Sequence, residues 1–242
     1  MFIDIHCHIV PAVDDGAENF DEACDIIRSA ASSGTSVMVA TPHFNNPFQG
    51  RYGVDKKTVH EKYSELKSIA SSEVPSVTLF LGCELLATDN IREVLSNNNF
   101  FSINGSRYLL TEFTFDENIS NVKRYIDIIM SFGLIPVIAH PERYLFLENS
   151  YEEIYAMAEK GCLFQINKDS PLGKYGEKAN KLSRWFIRND LVHLFAGDCH
   201  GVYHRNANMT GLYEWLINFY PVTKINSLIH DNPKRILLDL NI

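Results

Sequence analysis

The chain has 242 residues, of which 45% are hydrophobic and 21% charged, and it carries a formal net charge of −8. This is the make-up of an ordinary globular protein, long enough for one large domain or two small ones. The acidic balance argues against a nucleic-acid or anionic-membrane binder. The first residues lack the charged and apolar regions of a signal peptide, and no apolar run approaches the ~20 residues of a membrane span. A cytoplasmic protein is therefore expected.

The first candidate strand, Phe2–His6, delivers two histidines spaced i and i+2, His6 and His8. On an extended backbone these leave the same face, and two converging imidazoles can hold a divalent ion. The Asp14-Asp15-Gly16 stretch that follows reads either as a tight turn or as a carboxylate reaching back to such an ion, and spacing does not separate the two. A helix with Ala23, Ile26, Ile27 and Ala30 on one face comes next. Asn19 and Glu22 resemble a capping box at its start, and Gly34 follows its end. A second strand, Ser36–Thr41, runs through Pro42 into His43. Phe44 to Gly53 is polar, with Asn, Gly and aromatics, and reads as a long loop before a helix over Asp55–Ser71. The third strand, Val77–Cys83, ends at Glu84, and the fourth, Arg107–Phe113, carries Glu112. Val122, Tyr125, Ile126 and Ile129 mark a helix stopped by Gly133. A fifth strand, Leu134–His140, ends in His140, and a sixth, Cys162–Asn167, ends in Asn167. After a helix over Lys174–Asn189, the seventh strand, Val192–Gly197, runs into Asp198 and His200.

These strands are near-continuous apolar runs, as expected where both faces of a parallel sheet are covered. Seven of them alternating with helices, with no linker or composition shift, predict an α/β fold: a single closed or nearly closed βα barrel over residues 1–242. An open doubly wound sheet is the structural alternative. In a βα barrel the strand C-termini share one face, where catalytic groups gather. Six of the seven strands end there in His, Asp or Glu alone. Mixed imidazole and carboxylate shells suit Zn²⁺, Mn²⁺ or Fe²⁺, and the number of donors implies two or three ions. A ring of unrelated salt bridges would need more cationic partners than the neighbouring sequence offers.

The remaining polar residues are read more plainly. The five cysteines are odd in number and scattered, with no C-x-x-C pair, which excludes a disulfide framework or a zinc knuckle. Cys7, Cys83 and Cys199 read as small strand-end fillers flanking the site. His60 reads as solvated, His193 as a satisfied core residue, and His230 as lying near the C-terminal cap. His204 sits in a loop able to overhang the pocket. Asn167 is read either as a substrate contact or as a residue ordering the rim.

With those residues in view, the chain resembles the PHP (polymerase and histidinol phosphatase) superfamily of metal-dependent phosphoesterases. Asp4-Ile5-His6-Cys7-His8 matches its opening motif and Ala196-Gly197-Asp198-Cys199-His200 its closing one. More narrowly it is similar to the bacterial CpsB/YwqE type of manganese-dependent protein-tyrosine phosphatase. Asp14-Asp15-Gly16, Ala40-Thr41-Pro42-His43, Gly82-Cys83-Glu84, Glu112-Phe113, Gln165-Ile166-Asn167 and Asp231-Asn232-Pro233 carry that likeness. Ala139-His140-Pro141-Glu142-Arg143-Tyr144 is the most subgroup-specific segment. The resemblance implies a PHP-type distorted (β/α)7, TIM-like barrel. It implies a first ion held by His6, His8, Glu84 and Asp198, and a second by Glu84, Glu112 and His140. A third would take Asp15, His43 and His200, which makes Asp15 rather than Asp14 the ligand. It implies that Arg143 and Arg205 grip the phosphoryl group. The metal implied is manganese, with iron or zinc as alternatives. The partner implied is a phosphotyrosine protein, a membrane-associated tyrosine autokinase of capsule or exopolysaccharide synthesis. One departure stands out: Phe44-Asn45-Asn46 follow His43 where the family often has basic residues, and Arg51 is the residue able to compensate.

The expected chemistry follows from such a site. A water bridging two ions loses its proton near neutral pH, because coordination lowers its pKa from 15.7 toward ~7. The resulting hydroxide attacks phosphorus in line, the ions and arginine forks neutralise charge, and a phenol of pKa ≈ 10 makes little demand on a general acid. Two other functions compete: a small-molecule PHP phosphatase, for example on histidinol phosphate, and a binding module with a decayed metal site. A metal-dependent amidohydrolase stands further off.

Overall fold

The structure, a computed structural model, describes residues 1–46 and 55–242; Arg51 and most of the expected long loop lie outside the described residues. The chain is a mixed α/β fold built on parallel sheets. The strands are β1 (Phe2–Cys7), β2 (Thr35–Ala40), β3 (His43–Phe44), β4 (Thr78–Leu81), β5 (Glu84–Leu86), β6 (Tyr108–Glu112), β7 (Ile135–Ala139), β8 (Leu163–Asn167) and β9 (Leu194–Ala196). One sheet has the order β1-β2-β4 and the other β3-β5-β6-β7-β8-β9, every pairing parallel. All seven apolar runs are strands, but two of them are interrupted. The second breaks at Thr41-Pro42 and resumes as β3; proline offers no N–H to the ladder and fixes φ. The third breaks at Gly82-Cys83 and resumes as β5.

The two sheets meet at both sides of their C-terminal ends. Cys7 of β1 bridges Cys199 in parallel, the Asp198 N–H donates to the His6 carbonyl at 2.8 Å, and the His8 N–H donates to the Cys199 carbonyl at 2.9 Å. On the other side the β2–β4 pair runs on into the β3–β5 pair: the Gly82 N–H reaches the Ala40 carbonyl at 2.9 Å at the end of the first sheet, and the Glu84 N–H reaches the Pro42 carbonyl at 3.0 Å where the second begins.

Helices cover the outside. In α1 (Phe20–Ser32) the Asn19 side chain accepts the Glu22 N–H, but Glu22 returns its carboxylate to the Glu18 N–H rather than to that of Asn19, a shifted version of the expected box. Its buried face includes the expected Ala23, Ile26, Ile27 and Ala30. α2 (Lys56–Glu73) is capped by Asp55. The short α3 (Ile91–Ser96) precedes α4 (Ile119–Ser131), which buries Val122, Tyr125, Ile126 and Ile129 and ends before Gly133 at φ +76°. α5 (Tyr151–Glu159) and α6 (Gly176–Arg188) follow, then α7 (Thr210–Leu216), α8 (Val222–Asn226) and α9 (Asn232–Leu237). Among the described residues, no helix is long and apolar enough to cross a membrane.

The core has two layers. An outer one packs helices on strands. An inner one gathers Ile3, Ile5, Val39, Tyr108, Leu110, Val137, Ala139, Leu163, Leu194 and Ala196, closed from below by Ile236 and Leu237 of α9. Side chains alternate along a strand, so inner-layer positions predict what points inward further along. Leu110 sets Glu112, and Leu163 sets Gln165 and Asn167. Two ligand candidates escape this parity. Ile5 is an inner residue, yet so is the neighbouring His6, and the β1–β2 register is irregular between Asp4 and Cys7. Such bulges re-aim side chains beside active sites. Ala139 is an inner residue as well, and His140 follows it inward because its backbone is left-handed, at φ +34°.

Candidate metal and phosphoryl site

The strand C-termini converge on one bowl. His6 Nε2 and His8 Nε2 lie 3.1 Å apart and each sits 3.3 Å from Glu84 Oε2. Asp198 Oδ1 is 3.4 Å from His6 Nε2 and 3.6 Å from His8 Nε2. Glu84 also reaches His140 Nε2 through Oε1 at 2.9 Å and His43 Nδ1 through Oε2 at 3.1 Å. Glu112 completes that side, 3.5 Å from His43 Nδ1 and 3.7 Å from His140 Nε2. Asp15 lies at the mouth, 3.3 Å from His200 Nε2 and 3.5 Å from His43 Nε2. The structure thus brings together all nine His, Asp and Glu residues singled out in the sequence. Three sets have one donor atom per residue within 4.8 Å of one another: His8, Asp15, His43 and His200; His6, His8 and Asp198; and His43, Glu84 and Glu112.

The donor set fits metal ions. His6 Nδ1 donates to Gln165 Oε1 at 2.8 Å, His8 Nδ1 to Asp14 Oδ2 at 2.8 Å, and His200 Nδ1 to the Asp198 carbonyl at 3.1 Å. Each ring is thereby held with its Nε2 turned to the bowl, the arrangement that second partners of metal-bound histidines impose. Four buried donor atoms, His43 Nδ1, Glu84 Oε2, Glu112 Oε2 and His200 Nε2, have no hydrogen-bond partner among the described residues. Groups so buried are almost always paired, and a divalent cation suits all four.

Electrostatics say the same. Burial alone would depress His6, but the Glu84 and Asp198 carboxylates outweigh it and hold the ring at about 9. His43 is likewise raised to about 10 against burial, by Glu84 and Glu112. Glu84 and Asp198 are buried, which opposes ionisation, yet the surrounding imidazoles push both well below the carboxylate range, Arg205 adding to the effect at Asp198. His200 is pushed down to about 4 by burial and by the neighbouring His8.

Arg143 and Arg205 both converge on Asp198. Arg143 Nη1 donates to Oδ2 at 3.2 Å, and Arg205 Nη2 donates to Oδ1. Both guanidinium groups line a cavity of about 430 Å³ together with Asp15, His43, Glu84, Glu112 and His140. Acids, imidazoles and arginines therefore face one space.

Four supporting residues lie outside the expected set. Asp14 is buried and takes no place at the mouth: its Oδ2 also accepts the His43 N–H at 3.0 Å and its Oδ1 the Gly16 N–H at 3.0 Å. Asp4 Oδ1 accepts the His6 N–H at 3.2 Å and the Gly197 N–H at 2.9 Å, tying β1 to the segment that carries Asp198. Gln165 orients His6, and Asn167 donates to Asp198 Oδ2 at 2.6 Å, so Asn167 orders the site's carboxylate. The signal for Asp4 and Gln165 was present, since a polar residue inside an apolar strand needs a partner. His193 is packed as expected, its Nδ1 accepting the Phe164 N–H at 3.0 Å. His204 is exposed and does not line the cavity. All five cysteines are buried and free.

With this geometry established, the comparisons with known proteins become informative. The family described as capsular polysaccharide synthesis, CpsB/CapC, matches residues 2–238, and the chain belongs to it. Tyrosine-protein phosphatase CpsB of Streptococcus pneumoniae is 31% identical over 242 residues, covering 98% of both chains. Tyrosine-protein phosphatase YwqE of Bacillus subtilis (strain 168) is 33% identical over 205 residues, covering 84% of this chain and 79% of its own. A crystal structure from a pair, YwqE of Bacillus subtilis and CpsB of Streptococcus pneumoniae, described as unique metal-dependent tyrosine phosphatases, superposes with a TM-score of 0.89 at 30% identity. It covers 99% of this chain and 96% of that one.

Proposed function

Taking that membership as the premise, we propose that this chain is a metal-dependent protein-tyrosine phosphatase. The observation that carries the reading is a cluster of nine His, Asp and Glu residues, five of which (Asp15, His43, Glu84, Glu112 and His140) line one cavity together with two arginines. His6, His8, Glu84 and Asp198 would hold one divalent ion, Glu84, Glu112 and His140 a second, and Asp15, His43 and His200 a third. When bound, such ions supply the acidification of water and the neutralisation of phosphoryl charge. The oxygen and imidazole donors suit manganese, with iron or zinc as alternatives.

The chain's own residues do the rest. Arg143 and Arg205 present guanidinium forks to the same point, where a phosphoryl group can replace Asp198 as their partner. Phe113 and Phe115 stand on the cavity wall, an apolar surface that suits an aryl ring. A phenolate leaves without strong acid assistance, so no dedicated proton donor is required.

The two sheets are read as arcs of one distorted (β/α)7 barrel forming a single PHP-type domain over residues 1–242; the Cys7–Cys199 bridge and the Glu84–Pro42 hydrogen bond support that closure. The family's capsular description supports a phosphotyrosine protein of capsule or exopolysaccharide synthesis as substrate, a membrane-associated tyrosine autokinase. Five free, buried thiols suit a reducing cytoplasm. The test is turnover by Mn²⁺-loaded protein of a phosphotyrosine peptide against histidinol phosphate. Preference for the peptide is expected. Faster hydrolysis of the alkyl ester would replace this reading with that of a small-molecule phosphatase.

A further inference from the structure

Next to the bowl lies a second cavity, of about 380 Å³, lined among others by Phe115, Glu142, Arg143, Tyr175, Lys178 and Ala179. Arg143 and Phe115 line both spaces. The Arg143 guanidinium carbon lies 4.9 Å from the Phe115 ring centre and 5.0 Å from that of Tyr175. One arginine, held between two rings, is thus the shared wall of the two cavities.

Two buried polar atoms of residues in the second lining have no hydrogen-bond partner among the described residues: Glu142 Oε2 and the Tyr175 hydroxyl. Glu142 itself is 2% exposed, and its other oxygen is occupied by the Asn167 N–H at 3.0 Å and the Ser170 hydroxyl at 2.6 Å. Open polar atoms this deep are rare in folded proteins. Both residues belong to the lining of one cavity beside a substrate site, and an open polar atom in each is what a hydrogen-bonding ligand can complete.

The wall charges define that ligand. Lys178 pairs with Glu148 at 2.7 Å and Arg143 with Asp198 at 3.2 Å. A cationic occupant would face Arg143 and Lys178, and an anionic one Glu142 and Glu148. An uncharged group with a hydrogen to donate meets neither objection. Residues one or two positions apart on an extended peptide are about 3.3–7 Å apart along the chain, which spans one side-chain wall.

We propose that this second cavity is a peptide subsite that takes an uncharged, hydrogen-bond-donating side chain within two positions of the phosphotyrosine. The proposal rests on the phosphatase reading above and adds a sequence preference to it. A site with open buried polar groups discriminates strongly against ligands that leave them unpaired.

The experiment measures kcat/KM of the Mn²⁺-loaded protein on phosphotyrosine peptides bearing Gln, Ala, Lys or Glu at each of the two positions on either side, with phenyl phosphate as a small control. At one position the Gln peptide is expected to exceed the Ala peptide about tenfold, mainly through KM. Ala179→Leu, which fills the cavity from α6, is expected to bring that ratio to about one. Tyr175→Phe keeps the ring against Arg143 and is expected to lower the ratio severalfold, a second reading should the leucine variant fail to fold. Because each ratio compares two substrates in one preparation, partial unfolding leaves it unchanged. Equal rates for Gln and Ala at all four positions, a preference for Lys or Glu, or a Gln preference that survives both variants would overturn the subsite. Inactivity on phenyl phosphate and every peptide would overturn the phosphatase reading, and the subsite with it.

Discussion

Asp14 Oδ2 lies 2.8 Å from His8 Nδ1, and the same carboxylate anchors the backbone N–H of His43 and of Gly16. One buried side chain therefore sets the orientation of one imidazole and the entry of another. Gly16 allows this turn to close against β1: a Cβ there would stand 2.1 Å from the His8 carbonyl oxygen. Asp14→Asn keeps the shape but can turn an amide N–H toward His8, which would move the ring proton to Nε2. Metal affinity is then expected to fall by about 10–100-fold, the usual cost of losing such a partner, while far-UV circular dichroism stays that of the parent. A chelator competition titration checks it. Unchanged affinity would leave Asp14 as a turn residue only.

Arg143 and Arg205 both bond Asp198, so each has two roles to separate. If they grip phosphate, Arg143→Ala or Arg205→Ala lowers kcat/KM on aryl phosphates by roughly 10²-fold, the order seen when one transition-state donor is removed. Metal content measured by mass spectrometry stays level. Arg143→Lys recovers little, because a point charge lacks the bidentate fork. Loss of metal along with activity would instead make these arginines supports for Asp198.

Much of this site was legible in the sequence because parallel strands alternating with helices send their C-terminal ends to one face. Glu112 and Asn167 needed only the parity of Leu110 and Leu163. His6 and His140 did not follow parity; a register irregularity and a left-handed backbone turn them inward, and neither has a signature in residue type. Interruption of the second apolar run was marked by Pro42, whereas the break at Gly82-Cys83 was not distinguishable from a continuous strand. What Asp14 and Gln165 hold was hidden for a different reason. Their work is to hold histidines across 6 and 159 residues of sequence, and such pairings exist only after folding.

Metal uptake should release protons. The carboxylates around them hold His6 and His43 at about 9 and about 10, so in protein stripped of metal by a chelator both rings carry a proton at pH 7. A cation must displace those protons before the nitrogens can bind it. Apparent metal affinity is therefore expected to rise with pH until the histidines are neutral, and calorimetric titrations in buffers of different ionisation enthalpy should report proton release at pH 7. Heats independent of buffer would show that the rings are already neutral.

Acid stability offers a test away from the site. His193 sits between β8 and the C-terminal helices, its Nδ1 accepting the Phe164 N–H and its carbonyl accepting the Asn232 side chain at 2.7 Å. Burial pushes this ring down to about 4, whereas in the unfolded chain it titrates near 6.5. The folded pKa is the lower one, so on acidification the unfolded state takes up the proton first. The stability conferred by the neutral ring is complete above about pH 6.5 and fades as pH falls toward 4, by roughly 2–3 kcal/mol. His193→Asn retains an acceptor for the Phe164 N–H without a titrating ring. The difference in urea unfolding free energy between parent and variant, both measured with chelator present, should shrink or change sign from pH 7 to pH 4.5. Groups common to both proteins cancel in that difference, including the ion-free ligands of the bowl. A gap that stays constant with pH would mean the folded protein accepts the proton on His193 as readily as the unfolded chain, and that the Phe164 contact does not hold the ring neutral.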